Sequence, residues 1–302
     1  MDLDGVRSDW QTEGFTVLPG YLPPGALSPV LGELDRVFPS AAGFHEGTDE
    51  RSSRFLGDEF AGIDNLPFAS VELSLLAVCD PIIALARALL GCDDLRLYSA
   101  EAWAKFTGAA DYDQHLHRDY LNHTLVAPTD DVLFQQVEMF VYLVDVPGEL
   151  GPPHLVSQTQ TRELPTNPNW FPRTDTADPE AFVAPEGRPD LYEAEISGAG
   201  PVGTVIAFQP GTVHRGTGLT EHHGARYSMH LCFRPAVVEW GQRAAWAERS
   251  HTTRWYEFVE RATPAQLALF GFPPPGHPYW TPETLQGVAH RYAGLDLTPW
   301  RP

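Results

Sequence analysis

The heptapeptide QHLHRDY at residues 114–120 packs two imidazoles, a guanidinium and a carboxylate together. On an extended chain residues i and i+2 share a face. His117 and Asp119 can therefore turn an imidazole and a carboxylate toward one point. A second stretch, GTVIAFQPGTVHRGTG at 203–218, reads as a strand running into a turn that presents His214. Two histidines and one carboxylate bind Fe(II) on one face of an octahedron and leave three positions open. Two of these can take a 2-oxoacid and the third O2. A third stretch, ARYSMHLCF at 225–233, carries Arg226, with Ser228 two residues on and on the same face. A planar, permanently charged guanidinium with a hydroxyl beside it is suited to gripping the far carboxylate of such an acid.

Each part has a plainer reading. His117 and Asp119 are compatible with a hydrogen-bonded strand pair, His214 with a turn histidine, and Arg226 with a structural ion pair. His115 shares the face of His117, so an H-x-H metal pair is a further reading. That pattern expects a glutamate soon after, and residues 121–124 are LNHT. The combination of H-x-D, a distal histidine and a following arginine is rarer than any part, and it favours the metal site.

These residues need a rigid frame. LRLYSAEAWAKF (95–106), VEMFVYLVDV (137–146), GTVIAFQ (203–209) and RYSMHLCFRP (226–235) are rich in β-branched and aromatic residues and read as strands. EGFTVLPGYL (13–22) reads as a short strand ending in a turn. GALSPVLGELDRVFP (25–39) has helical spacing, and 41–65 reads as a loop. DPIIALARALLG (80–91) is the clearest helix, with Asp80 as cap, Pro81 in its first turn and Gly91 as stop. Residues 241–262 return to helix, and the tail reads as irregular. Residues 161–195, rich in proline and without a period, read as a lid or insert, with Trp170 and Phe171 as aromatics that cap a substrate or pin the loop. Lys105, Glu138, Phe140 and Tyr142 fall on strands that would line a barrel. The expectation is one α+β domain over 1–302 with a mainly β core, a jelly-roll sandwich or barrel, and a helical C-terminal extension at 241–302.

The 302 residues carry 20 Lys+Arg against 40 Asp+Glu, a formal net charge of −20. Such a surface repels phosphates, so nucleic acid and anionic membranes are poor partners. No run of about 18 apolar residues reads as a membrane span. MDLDGVRSDW is too acidic for a secretory leader, and three cysteines make no disulfide framework. The expected setting is the cytoplasm, as a monomer or homodimer.

On these motifs the sequence resembles the phytanoyl-CoA dioxygenase family of Fe(II)/2-oxoglutarate oxygenases. EGFTVLPGYL is similar to that family's opening strand, DPIIALARALLG to its D-P helix, and DQHLHRD to its W-H-x-D segment with Leu116 for the usual Trp. FVYLVDVPGELGPPHLV is similar to the strand entering its Asn-Gly turn, with Leu150 for Asn. The resemblance implies a double-stranded β-helix with flanking helices. It implies iron on His117, Asp119 and His214, and 2-oxoglutarate held by Arg226, with Gln114 and Ser228 as further contacts. It also implies hydroxylation of a small molecule with release of succinate and CO2. The family's P-G-S-H stretch is replaced by LVSQTQT, so the substrate does not carry over. Asp119 fills the position that related halogenases free for chloride, and scattered Arg118, Arg162 and Arg173 make no coenzyme A site. A neutral or cationic metabolite is expected. A cupin-like isomerase or hydrolase and a non-catalytic ligand-binding barrel are the alternatives, and Arg226 speaks against both.

Overall fold

Strand alternation divides the central segments into one apolar face and one that is not. In Ala225–Pro235, Tyr227, Met229, Leu231 and Phe233 point one way, and Arg226, Ser228, His230 and Cys232 the other. The apolar set is buried against helices, each large side chain contributing about 1.5–3 kcal/mol. The polar set must then face an interior of another kind. The computed structural model describes residues 2–57, 60–109, 112–119, 123, 131–164, 183–241 and 252–301.

Nine strands are described: β1 (Phe15–Leu18), β2 (Asp64–Asn65), β3 (Leu95–Phe106), β4 (Val137–Tyr142), β5 (His154–Val156), β6 (Ile196–Ser197), β7 (Val205–Phe208), β8 (Val213–Arg215) and β9 (Ala225–Pro235). Six form an antiparallel sheet in the order β1-β7-β4-β9-β3-β2. Three form a smaller sheet, β6-β5-β8, which residues 116–117 extend by a bridge from His117 to His214. Tyr142, Ile206 and Phe208 of the large sheet pack with Leu155 of the small one, so the two sheets face each other as a jelly roll. The fold is a double-stranded β-helix with flanking helices, as the sequence implied.

Helices cover the outer face of the large sheet. Leu3–Glu13 packs on Asp80–Leu90, which in turn touches β4 and β9. Ile82, Leu85, Ala86 and Leu89 recur at helical spacing and are fully buried. Gly91 ends this helix at φ 62°, donating to the Arg87 carbonyl at 2.8 Å, the left-handed stop expected of it. Its N-cap is Cys79 and not Asp80, which lies one residue inside with Pro81. The very apolar stretch Val71–Leu90 is mostly buried and forms two core helices, Val71–Leu76 and Asp80–Leu90.

Other expectations need correction. Residues 25–39 form two helices, Pro24–Leu31 and Leu34–Val37, because Gly32 interrupts the apolar period. The 41–65 loop contains the helix Ala41–His45, the 3₁₀ turn Glu50–Phe55 and β2. The irregular tail contains Pro264–Ala268 and Pro282–Arg291, both with Thr capping boxes and a proline in the first turn. The expected helix at 241–262 is observed as Thr253–Arg261, with 242–251 outside the described residues.

Gly151, after the turn that follows β4, has φ 64°. A Cβ there would collide with the Thr217 carbonyl oxygen and come within 3.0 Å of the Gly218 oxygen. Backbone cannot swing aside as a side chain can. Gly151→Ala is therefore expected to destabilise the protein by at least about 1 kcal/mol, from left-handed strain alone. Urea unfolding of the purified variant measures it.

Candidate metal centre

Residues 114–117 run antiparallel beside β8. Gln114 N donates to Gly216 O at 2.9 Å, His117 N to His214 O at 2.9 Å, and His214 N returns to His117 O at 3.0 Å. Arg118, between the two expected ligands, turns away and ties the segment down. Its Nε donates to Gly211 O at 2.9 Å and Nη2 to Thr161 O at 3.2 Å. The turn before His214 is tied as well: Thr212 Oγ1 donates to Gly14 O at 2.8 Å, and Gln209 N donates to that Oγ1 at 3.2 Å. Next to His214, Arg215 makes a two-point ion pair with Glu195, at 2.5 and 3.0 Å.

These anchors bring His117, Asp119 and His214 together. His117 Nε2 lies 3.6 Å from Asp119 Oδ1, and His214 Nε2 lies 3.3 Å from Asp119 Oδ2. One donor atom from each falls within 4.8 Å of the others. Both imidazoles direct Nδ1 at backbone, His117 to His115 O at 2.7 Å and His214 to Thr212 O at 3.0 Å. With Nδ1–H donating there, Nε2 is left to coordinate, an outer-shell arrangement common around metal-binding histidines. The donor set fits Fe(II): two imidazoles, one carboxylate and, among the described residues, no fourth protein donor in the cluster.

The protonation states differ across the triad. Burial, then the charge of His214, pushes His117 down to about 4, so it is neutral near pH 7. Burial also opposes a proton on His214, but the charge and hydrogen bond of Asp119 outweigh it and raise His214 above 6.5. Burial would raise Asp119. The charges of His214, His117 and His123 carry it well below the carboxylate range instead.

Arg226 begins β9 on the inner face, directly opposite Lys105 of β3. Its guanidinium is buried, and Nη1 has no hydrogen-bond partner among the described residues. Burial lowers its pKa, and the neighbouring Tyr142 acts against that. Ser228 follows on the same face, across from Tyr142 of β4 and Trp103 of β3. Lys105, Glu138, Phe140 and Tyr142 all share this inner face, resolving for the lumen what the sequence left open. Gln114, the expected further contact to 2-oxoglutarate, is tied to the backbone beside the triad. Its Oε1 accepts Gly216 N–H at 2.8 Å, so only its NH2 is available to a ligand. The His115 side chain is exposed and outside the triad, which removes the H-x-H reading.

The expected lid is only partly described, since 165–182, with Trp170 and Phe171, lies outside the described residues. Its C-terminal flank is a brace. Val183 N donates to Leu116 O at 2.8 Å, and Tyr192 Oη donates to Val183 O at 2.6 Å and accepts from Leu116 N at 3.1 Å. The sequence reading missed His230 and His123. His230 was legible in principle, since it sits two residues beyond Ser228 on the same alternating face.

Fold and triad are those of a jelly-roll protein with a two-histidine, one-carboxylate cluster able to hold a metal ion. The family profile described as "Phytanoyl-CoA dioxygenase (PhyH)" matches residues 10–224, and the chain belongs to that family of Fe(II)/2-oxoglutarate-dependent enzymes. Two solved structures share the fold. One is the epimerase SnoN, in complex with Fe3+, alpha ketoglutarate and nogalamycin RO. It is 22% identical, with 78% of this chain and 84% of that chain covered, and a TM-score of 0.55. The other is the non-heme alpha ketoglutarate dependent carbocyclase SnoK from nogalamycin biosynthesis, 17% identical, covering 77% and 83%, with a TM-score of 0.53. A search of curated protein sequences finds no match.

A raised His214 pKa has a measurable consequence. Below that pKa the metal-free His214 holds a proton on the nitrogen a cation needs. Metal uptake must release it, so affinity rises with pH, by about tenfold per unit, until His214 is neutral. His117, neutral above about 4, adds no slope there. Anaerobic Fe(II) titrations across the neutral range should show this one-proton dependence, and His214→Ala should abolish both the slope and tight binding.

Proposed function

We propose that this protein is an Fe(II)- and 2-oxoglutarate-dependent oxygenase that hydroxylates a small organic molecule. The observation that carries the reading is the buried Arg226 guanidinium, with an Nη1 unpartnered among the described residues, on the inner face of the large sheet and across the lumen from the small sheet that carries His214. An uncompensated buried cation is costly. A carboxylate arriving from a ligand removes the cost, and neither a simple isomerase cage nor a hydrolase needs one there. Bound Fe(II), 2-oxoglutarate and O2 supply a two-electron oxidant, with succinate and CO2 as coproducts.

His117, Asp119 and His214 would hold the cation, which would supply the site for the oxoacid and O2. Arg226 orients the oxoacid by its far carboxylate, and Ser228 supplies a hydroxyl beside it. Asp119 lies within 3.6 Å of both histidine nitrogens, which supports oxygenation over halogenation, because the carboxylate occupies the place a halide would need. Trp103, Phe140 and Phe208 line the inner face. Beside them Trp103 Nε1 donates to Glu101 Oε2 at 3.2 Å. An aromatic wall with a carboxylate, in a chain of net charge −20, favours a neutral or cationic metabolite over a coenzyme A thioester. Three free cysteines support a reducing, cytoplasmic setting.

A second reading keeps the machinery and changes the outcome. SnoN is an epimerase and SnoK a carbocyclase. The same oxidant can serve ring closure when the substrate is held differently, and inversion when an added reductant supplies the two electrons that a redox-neutral change does not. Mass spectrometry of a metabolite panel incubated with enzyme, Fe(II), 2-oxoglutarate and O2 separates them. A product one oxygen heavier marks hydroxylation, one two hydrogens lighter marks ring closure, and an isomer of unchanged mass marks epimerisation. Absence of succinate with every substrate would overturn the oxygenase reading.

Arg226→Ala removes a charged hydrogen-bonding partner worth about 1.5–3 kcal/mol. The KM for 2-oxoglutarate is expected to rise about 10-fold or more, with the fold and metal affinity retained. Steady-state succinate formation and circular dichroism of the variant check both halves.

A further inference from the structure

A second set of metal-type donors faces the same lumen on the side away from Arg226. Cys232 and His230 are two apart on β9, so they share a face, and Glu138 of β4 stands directly opposite Cys232. His123 approaches from the segment that follows Asp119. His230 Nε2 lies 3.0 Å from Glu138 Oε2, and His123 Nε2 lies 3.6 Å from the same oxygen. Cys232 Sγ lies 3.7 Å from His230 Nε2. One donor each from His123, Glu138 and Cys232 falls within 4.8 Å of the others, the same closeness that marks His117, Asp119 and His214. All four residues are buried, and Glu138 is 0% exposed.

We propose that His123, Glu138, His230 and Cys232 form a second, structural site for a divalent thiophilic cation of the zinc class. A tetrahedral ion with bonds of about 2.0–2.3 Å holds neighbouring donors about 3.3–3.8 Å apart, as are His123 Nε2 and Glu138 Oε2 at 3.6 Å and Cys232 Sγ and His230 Nε2 at 3.7 Å. The ligand set is mixed nitrogen, oxygen and sulfur, which suits zinc and not magnesium or calcium. Two neutral imidazoles, one carboxylate and one thiolate cancel the charge of a dication, so the bound site is neutral in a buried place. His123 is held as such ligands are: its Nδ1 lies 3.2 Å from the Tyr98 hydroxyl, which leaves Nε2 facing Glu138. Gln136 Nε2 fixes the His123 carbonyl at 2.9 Å. His230 Nε2, 3.0 Å from Glu138 Oε2 and 3.7 Å from Cys232 Sγ, would complete the group of three as a fourth donor and leave the ion no open position for catalysis. Its effect is mechanical. It staples the segment just beyond Asp119 to β4 and β9, and so holds the carboxylate of the first site.

The test is a Co(II) titration of the metal-free full chain. Two equivalents are expected, one of them showing intense near-ultraviolet thiolate-to-metal absorption. Cys232→Ser should abolish that absorption and weaken one equivalent by more than the roughly 10–100-fold cost of losing an outer-shell partner, leaving the other intact. The His117→Ala/His214→Ala double variant should do the reverse, so failure of either site is seen separately. Cys79→Ser and Cys92→Ser should change nothing. Should Cys232→Ser not fold, X-ray absorption of the zinc-loaded wild type should show a sulfur neighbour at about 2.3 Å. A single equivalent lost with His117 and His214, absorption that follows Cys79 or Cys92, or a shell without sulfur would overturn the proposal.

Discussion

The reciprocal backbone pair between His117 and His214, at 2.9 and 3.0 Å, is the constraint on which the site depends. It joins two segments distant in sequence at the two residues whose side chains must meet. An antiparallel bridge fixes separation and facing together, so both imidazoles come to the lumen without needing a long strand. Most of the nearby structure protects that bridge. Arg118 and the Gly216 contacts of Gln114 hold one side, and Glu195, Tyr192 and Thr212 hold the other.

The second organising feature is the use made of strand alternation. In most sandwiches the inner faces are apolar and the outer faces wet. Here the outer face of the large sheet is buried in the main apolar core beneath helices, and the inner face carries Arg226, Ser228, Lys105 and Glu138. Burial of Met229, Leu231 and Phe233 under those helices offsets the cost of placing charged groups inside. The site is thus maintained by packing on the other side of the same strands.

Much of this was legible in the sequence where one physical rule acted alone. β3 and β9 could be read almost to the residue, because β-branched and aromatic runs leave few options. His117, Asp119, His214 and Arg226 could be read because metal and carboxylate chemistry restrict residue types. Gln114 was harder, since a primary amide serves backbone and ligand equally well, and here the Gly216 N–H has its oxygen. The N-terminal helix Leu3–Glu13 escaped notice because its period is mostly polar, with Trp10 alone fully buried. Gly32 divided what read as one helix. His123 and Cys232 carry no spacing signal at all, because they meet only when β4 and β9 have paired.

The first fourteen residues are stitched to the turn that presents His214. Gln209 Nε2 reaches Trp10 O at 3.3 Å, Thr212 Oγ1 reaches Gly14 O, and Phe15 of β1 pairs with Phe208 of β7. On the ribosome these residues emerge about two hundred residues before their partners at 208–212. The helix Leu3–Glu13, with its one fully buried residue Trp10, must therefore wait for this docking until residues 208–212 have been made. Pairing of such remote segments is intrinsically slow and leaves sticky surface uncovered in the interval. The turn that carries His214 therefore takes its final shape only when a contact of very high sequence separation has closed.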